Sequence, residues 1–548
     1  MTTTTPTRPV AEVSGGRLTG LPALLRFALR RDRVRLPAWV LGISLTVAAT
    51  AAMFPGVYPD FAAQEARAAL MGSPATVALA GPQIGVDNYT FGAMMTNEML
   101  ALTSIVVALM SIFMVVRHTR GEEETGRSEL VLANPVGQLA PMAAGLAMAV
   151  IANVALWIVT AVTLAGQGIE SIDWPGSILY GAALASVGLV FAGVAAVAAQ
   201  ITEHARTASS MAGLVLGLVY TIRAVGDVLE SPISWLSPVG WAQRTYAFVA
   251  DQWWPLLLSL VLTIALVIWA VALNSRRDFG SGLRQPKPGP SEASPRLSSA
   301  FALAVHNQRV SISAWAVSLG LFGLMYGSLL GEVEGFAEKL GSTLEDVLGE
   351  LMSASLINGF LSFLAVMISM FASVYAANAV LRARNEENAG LSESVLATPT
   401  SRAKFLAGHV TVAFVGGAIV LFAGLLGIAT SGSAALGASV IGDLMGAATV
   451  QLVPLLVVVS VAVALFGLVP RLTGLVWVLV GYSMFALTLG GLVGLPDWAI
   501  DLPPFAMVPA LPAEPFTLWT TLGLMVLAVA LLTAGFWGFA RRDLQTVA

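Results

Sequence analysis

Twelve stretches of about 20 residues, nearly free of charge, constrain this chain more than any other feature. They lie near 36–55, 99–116, 140–165, 176–200, 207–226, 253–274, 310–331, 356–380, 408–430, 444–468, 472–494 and 515–540. A helix needs roughly 20 apolar residues to cross about 30 Å of hydrocarbon. Inside that layer each backbone N–H and C=O must find a partner within the protein, which a helix supplies by itself. The expected fold is therefore all-α and polytopic, with twelve transmembrane helices. Composition agrees, since 57% of the 548 residues are hydrophobic and only 11% are charged, well below the roughly 25% of soluble domains. The chain has no cysteine, which removes disulfides, thiol chemistry and thiolate-bound metal.

Basic residues orient the spans, because loops rich in Lys and Arg stay in the cytoplasm. With both termini cytoplasmic, all but four of the 28 basic residues fall on the inner side; the exceptions are Arg67, Arg223, Arg244 and Lys339. The start, "MTTTTPTRPVAEVSGG", lacks the apolar core of a signal peptide, so residues 1–20 are expected to be a disordered cytoplasmic tail. Next, Leu21, Leu24, Leu25 and Ala28 share one helical face while Arg26, Arg30 and Arg33 share another. That pattern suits a lead-in helix in the inner headgroup layer, with Pro37 bending the chain into the membrane.

The chain repeats itself. "GRSELVLANP" (126–135) returns as "GLSESVLATP" (390–399), "RVRLPAW" (33–39) as "RVSISAW" (309–315), and "RRDFGSG" (276–282) as "RRDLQTV" (541–547). A six-span half over 21–278, a Gly-, Pro- and Ser-rich cytoplasmic linker over 279–300 and a second half over 301–548 account for these echoes. Six is even, so the halves are expected to be parallel repeats about an axis along the membrane normal.

Each copy of the word follows the second span of its half and is preceded by acid: "GEEET" (121–125) and "NEENA" (385–389). Ser128 and Ser392 suit helix N-caps, with Glu129 and Glu393 in the first turn, where the dipole favours negative charge. Leu130 and Leu396 lie in the apolar turn, and Pro135 and Pro399 stop it. So short a helix cannot stand alone in water. It must cover its apolar side with its own bundle or with another protein, and the residues leave both open.

These loops, "EETGRSELVLANPV" and "EENAGLSESVLATPTSRAKFLAG", resemble the loop between the second and third helices of ABC-2-type exporter permeases. With "LSPVGW" (236–241) and "RRDFGSGL" (276–283), the six-plus-six chain further resembles the actinobacterial subgroup exporting polyketide antibiotics and other drugs, the tetronasin-resistance type. The resemblance implies a multi-pass protein of the bacterial plasma membrane that moves hydrophobic small molecules outward. It implies that the loops are coupling helices seated on two copies of a separate ABC ATPase subunit, which holds ATP and Mg. The coupling residues would be Glu122, Glu123, Glu124, Gly126, Ser128, Glu129, Leu130 and Pro135 in the first half. In the second they would be Glu386, Glu387, Gly390, Ser392, Glu393, Leu396, Pro399 and Arg402. This chain has no phosphate-loop motif, so it is not expected to hydrolyse ATP or to bind a cofactor itself. By the same resemblance, segments 228–252 and 492–513 are expected to form re-entrant hairpins at an outer gate.

Other signals are weaker. Met110, Phe113 and Met114, and Met367, Met370 and Phe371, either line a substrate cavity, since such surfaces re-pack around varied apolar ligands, or pack in the core. Arg223, Asp227 and Asp443 fall at span ends, where interfacial charges are ordinary. Asn153, Asn358 and Gln451 suit interhelical hydrogen bonds, and Gly213-x-x-x-Gly217 a close helix approach. The four His show no metal-ligand spacing, and neither a metal nor a nucleic-acid partner is expected. The rival reading is a proton-coupled secondary multidrug transporter, opposed by an apparent lack of buried carboxylates.

Overall fold

The computed structural model describes residues 16–72, 74–126, 136–277, 282–283, 292, 294–297, 299–332, 356–493 and 495–544. Among these the regular structure is helical throughout, and twelve helices are long and apolar enough to cross a membrane. Two compact units, Met1–Gly289 and Pro290–Ala548, hold six of those helices each.

In the first unit, α1 (Leu21–Arg31) leads into α2 (Arg35–Val57); α3 (Phe61–Leu70) and α4 (Pro74–Ala80) precede the long α5 (Phe91–Glu124). Then follow α6 (Ala140–Ala165), α7 (Trp174–Ile201), α8 (Ala205–Val228), the short α9 (Pro238–Gln243) and α10 (Pro255–Asn274). The hub is α7, which packs on α5, α6 and α10. Its many Ala and Gly residues let neighbours approach closely, and Leu179, Tyr180, Leu184, Val187 and Phe191 are fully buried. By contrast α10 exposes Leu257, Leu260, Val261, Ile264, Ile268 and Trp269, an apolar face suited to lipid.

The second unit comprises α11 (Ala300–Gly327), α12 (Leu356–Asn388), α13 (Leu391–Leu396), α14 (Arg402–Leu436), α15 (Ile441–Leu468), α16 (Leu475–Val493), α17 (Asp497–Ile500) and α18 (Leu518–Arg541). Glycine sets its closest helix pairs. A Cβ on Gly323 of α11 would lie 2.1 Å from the Gly424 carbonyl of α14, and one on Gly467 of α15 would lie 2.0 Å from the Gly535 carbonyl of α18. Gly213 and Gly217 make no close helix contact among the described residues of their unit.

Two expectations about helix ends are corrected. The bend before the first span falls at Asp32–Val34, not at Pro37, which sits in the first turn of α2 where a missing N–H costs little. At the break the Asp32 carboxylate turns inward to His118 (2.6 Å) and Arg117 (2.7 Å). Nor is the apolar side of α1 wholly for lipid: Ala28 is buried and the helix packs on α6, while Arg26, Arg30 and Arg33 remain exposed.

The second span of each unit also runs past its hydropathic stretch. At 1.5 Å per residue, the 33 residues of α12 reach about 50 Å, some 20 Å more than the hydrocarbon needs. The acidic words thus lie on helix ends rather than in loops.

Candidate functional site: the twin acidic helix ends

Both helix ends are held by one device. In the first unit Glu123 receives a two-pronged ion pair from Arg277, at 2.7 and 2.8 Å. In the second, Glu387 receives the same from Arg542, at 2.5 and 2.6 Å. These arginines belong to the repeated "RRD" words that follow the sixth and twelfth spans. A planar guanidinium matches both carboxylate oxygens at once, so each acidic end is clamped to the end of its unit's last spanning helix. A second arginine three residues earlier joins each clamp: Arg120 to Glu123 at 2.9 Å, and Arg384 to Glu387 at 3.6 Å.

Around the clamps the units differ. Arg120 is fully buried and donates to the Ala199 carbonyl at 2.5 and 2.9 Å, satisfying the end of α7. Arg277 Nε donates to Gln200 Oε1 at 2.6 Å. In the second unit Arg402 Nη1 donates to the Arg542 carbonyl at 2.5 Å, at the end of α18. The neighbouring acids are also engaged internally: Glu122 with Arg31, Glu124 with His204 (3.2 Å) and the Ala205 N–H (3.1 Å), Glu386 with His409 (3.1 Å). Glu123 and Glu387 are therefore internal struts.

Past the acids the backbone turns left-handed at Gly126 (φ 70°) and Gly390 (φ 71°), the conformation glycine adopts without a Cβ penalty. Ser128, Glu129, Leu130 and Pro135 lie outside the described residues. In the second copy α13 is a helix of 6 residues, stopping before Pro399. Ser392 is not its N-cap. Gly390 occupies that position, and Ser392 is buried with Val395 and Leu396 on the side that meets its own bundle. The opposite side presents Leu391, 60% exposed, with exposed Glu393 and Ser394. The spacing of 392, 395 and 396 is helical and could have shown which side turns inward, but sequence reading gave the apolar contact to Leu396 and missed Leu391.

The predicted cavity residues part company. Met110, Phe113 and Met114 line a crevice of about 250 Å³ with Asp32, Arg35, Trp39 and Arg117. Met370 and Phe371 belong to the second unit's core, Phe371 edge-on to Phe322 at 5.9 Å, and Met367 is half-buried nearby. Asn153 bonds Ser111 across two helices at 2.9 Å, as its type suggested.

The opposite end of the first unit carries buried charge that hydropathy concealed. Arg223 is fully buried within the protein; it lies 3.7 Å from Asp227, donates to the Ala78 carbonyl at 2.8 Å and faces the Tyr220 ring. Arg244 lies 3.3 Å from Asp227 and stacks on Trp235. Segment 228–252 thus folds as a tight turn and α9, with Ser237, Val239, Gly240, Ala242 and Gln243 buried. Glu98, in a π-helical turn (Met95–Met99), holds Arg67 at 2.6 and 3.0 Å and accepts from the Tyr89 hydroxyl at 3.0 Å. Burial alone would lower the Arg67 pKa, but Glu98's hydrogen bonds and charge outweigh it and raise it. Burial, then the Glu98 charge, pushes the Tyr89 hydroxyl well above its ordinary value. Buried carboxylates do exist, contrary to the sequence reading; span-end positions hid them from a hydropathy window.

A family described as the multidrug efflux system permease Rv1217c, C-terminal domain, matches residues 21–273 and 297–540, one stretch in each compact unit. The chain is also 37% identical to the multidrug efflux system permease protein Rv1217c of Mycobacterium tuberculosis over 541 residues, covering 97% of this chain and 96% of that protein. This chain belongs to that permease family. Membership and twelve apolar helices make it a multi-pass protein of the plasma membrane. The matched stretches contain the two acidic words, 121–125 and 385–389, one in each, and stop just short of the two "RRD" words.

Proposed function

We propose that the chain is the membrane subunit of an ATP-driven ABC exporter that expels hydrophobic drugs or antibiotics. Both termini and both acidic helix ends face the cytoplasm, in two parallel six-helix repeats, and a separate ATPase subunit docks on each acidic end. ATP and Mg belong to that subunit.

The observation that carries this reading is the exposed face of α13. Leu391 and Glu393 stand out on a short helix whose other face is anchored to its bundle. Behind it, Glu387 is clamped by Arg542 to the last spanning helix. A partner pushing on such a helix moves a spanning helix with it. The name of the relative, a permease of a multidrug efflux system, fits a chain that works with other components. A proton-driven mechanism is poorer, because among the described residues the carboxylates Asp32, Glu98, Glu123, Asp227 and Glu387 each sit against an arginine, which commits them and suits them poorly to a relay.

The test is co-purification with the ATPase and measurement of drug-stimulated ATP hydrolysis and efflux. Replacing Glu129→Arg together with Glu393→Arg is expected to weaken ATPase association about tenfold or more. Efflux that persists on a proton gradient without ATP overturns the proposal.

A further inference from the structure

Spans α2 and α5 touch only lightly, and a crevice runs between them. Its first part, at the arginine-rich end, is the cavity of about 250 Å³ that holds Arg35, Arg117 and Met110. Its second part, about 350 Å³, continues past Gly42, Thr46, Leu102 and Val106. Trp39 lines both. We propose that this crevice binds one anionic phospholipid, with its phosphate at Arg35 and Arg117 and an acyl chain lying along Trp39 and Gly42.

Charge chooses the headgroup. Asp32, the acid at the mouth, is already committed to Arg117 at 2.7 Å and His118 at 2.6 Å. Arg35 is exposed and has no ion partner among the described residues. The mouth therefore carries positive charge beside an apolar wall, the arrangement that captures anionic headgroups between helices at the cytoplasmic surface. A neutral hydrophobic cargo would gain nothing from Arg35.

Shape chooses the chain. A Cβ on Gly42 would meet nothing within 4 Å, so the trough is not filled by the protein's own packing. Phe113, Val106 and Leu102 are exposed along its rim, leaving the crevice open sideways to surrounding lipid. From Arg117, one leaflet of about 15 Å corresponds to roughly ten residues of helix, which ends near Val106, where the two cavities meet. The leaflet rests on the orientation proposed above; the binding itself does not.

The experiment uses the purified full-length chain without any ATPase, so its failure leaves the export reading untouched. The chain is delipidated in detergent, then offered dioleoyl phosphatidylglycerol or phosphatidylcholine, and retained lipid is counted by native mass spectrometry. One phosphatidylglycerol should be retained about tenfold better than phosphatidylcholine. Arg35→Glu should abolish that preference. Gly42→Phe should lower retention of phosphatidylglycerol about tenfold with an unchanged melting temperature, since it fills open space. Should that variant fail to fold, the exposed Arg35→Glu decides. Equal retention of the two lipids overturns the proposal, as does phosphatidylglycerol retention that neither variant changes. If Gly42→Phe instead releases a neutral hydrophobic dye and keeps phosphatidylglycerol, the crevice is a cargo portal and the lipid assignment falls.

Discussion

The two acidic helix ends share a clamp and differ in what surrounds it. In the first unit the clamp is sunk among helix ends: Arg120 is fully buried and Arg277 nearly so, and both also serve the end of α7. The chain returning from the loop is received by the lead-in segment, with the Gly137 N–H donating to the Thr19 carbonyl (2.9 Å) and Leu139 N–H to Arg17 (3.0 Å). In the second unit Arg384 and Arg542 keep some access to water. There the chain re-enters through a Ser401 cap on the Lys404 N–H, and Arg402 satisfies the end of α18. This explains why the two words diverge after their proline. "VGQ" meets a neighbouring backbone, whereas "TSR" must build a cap and supply a cation. An invariant clamp with variable scaffolds would let each end couple to its helices while presenting an unequal surface.

The comparison can be broken by removing the shared acid. Glu123→Ala strands two deeply buried guanidinium groups and should cost about 3–5 kcal/mol. Glu387→Ala leaves cations that can reach water and should cost about 1.5–3 kcal/mol. Thermal melting of the two purified variants checks the order, and equal losses would mean that the scaffolds do not matter. A smaller effect isolates the turn. Gly126→Ala and Gly390→Ala each force a left-handed alanine with no new clash among the described residues, so each should lose about 1–2 kcal/mol. A larger loss at one end would reveal extra strain there. The smallest stability effect belongs to the exposed surface. Leu391→Asp should change stability by no more than about 0.5 kcal/mol, yet weaken ATPase capture measured by pull-down. Unchanged capture would separate α13 from docking.

Much of the architecture was legible because hydrocarbon is an unforgiving solvent. Twelve spans were readable from length and charge alone, and each corresponds to a long apolar helix in the structure. Their ends were less legible. Hydropathy marks only the part of a helix that lies in oil, so it missed the extensions of α5 and α12 that carry Glu123 and Glu387. It also missed Glu98 and Asp32, because one acid at a span end barely moves an average over a window, and it found Asp227 without its burial.

The residues of the site were flagged as a group, but not their roles. Repetition pointed to the acidic words and to "RRD" without joining them; Glu123 meets Arg277 across 154 residues of chain. The sequence by itself determined that the chain spans the membrane, where its charges gather and that its ends echo one another, since each follows from burying polar groups in oil. Tertiary structure alone decided which acids are struts, that Leu391 rather than Leu396 faces outward, and that Gly42 opens on a crevice. Those outcomes depend on which helices meet, and a guanidinium several turns away in space leaves no local trace in the order of residues.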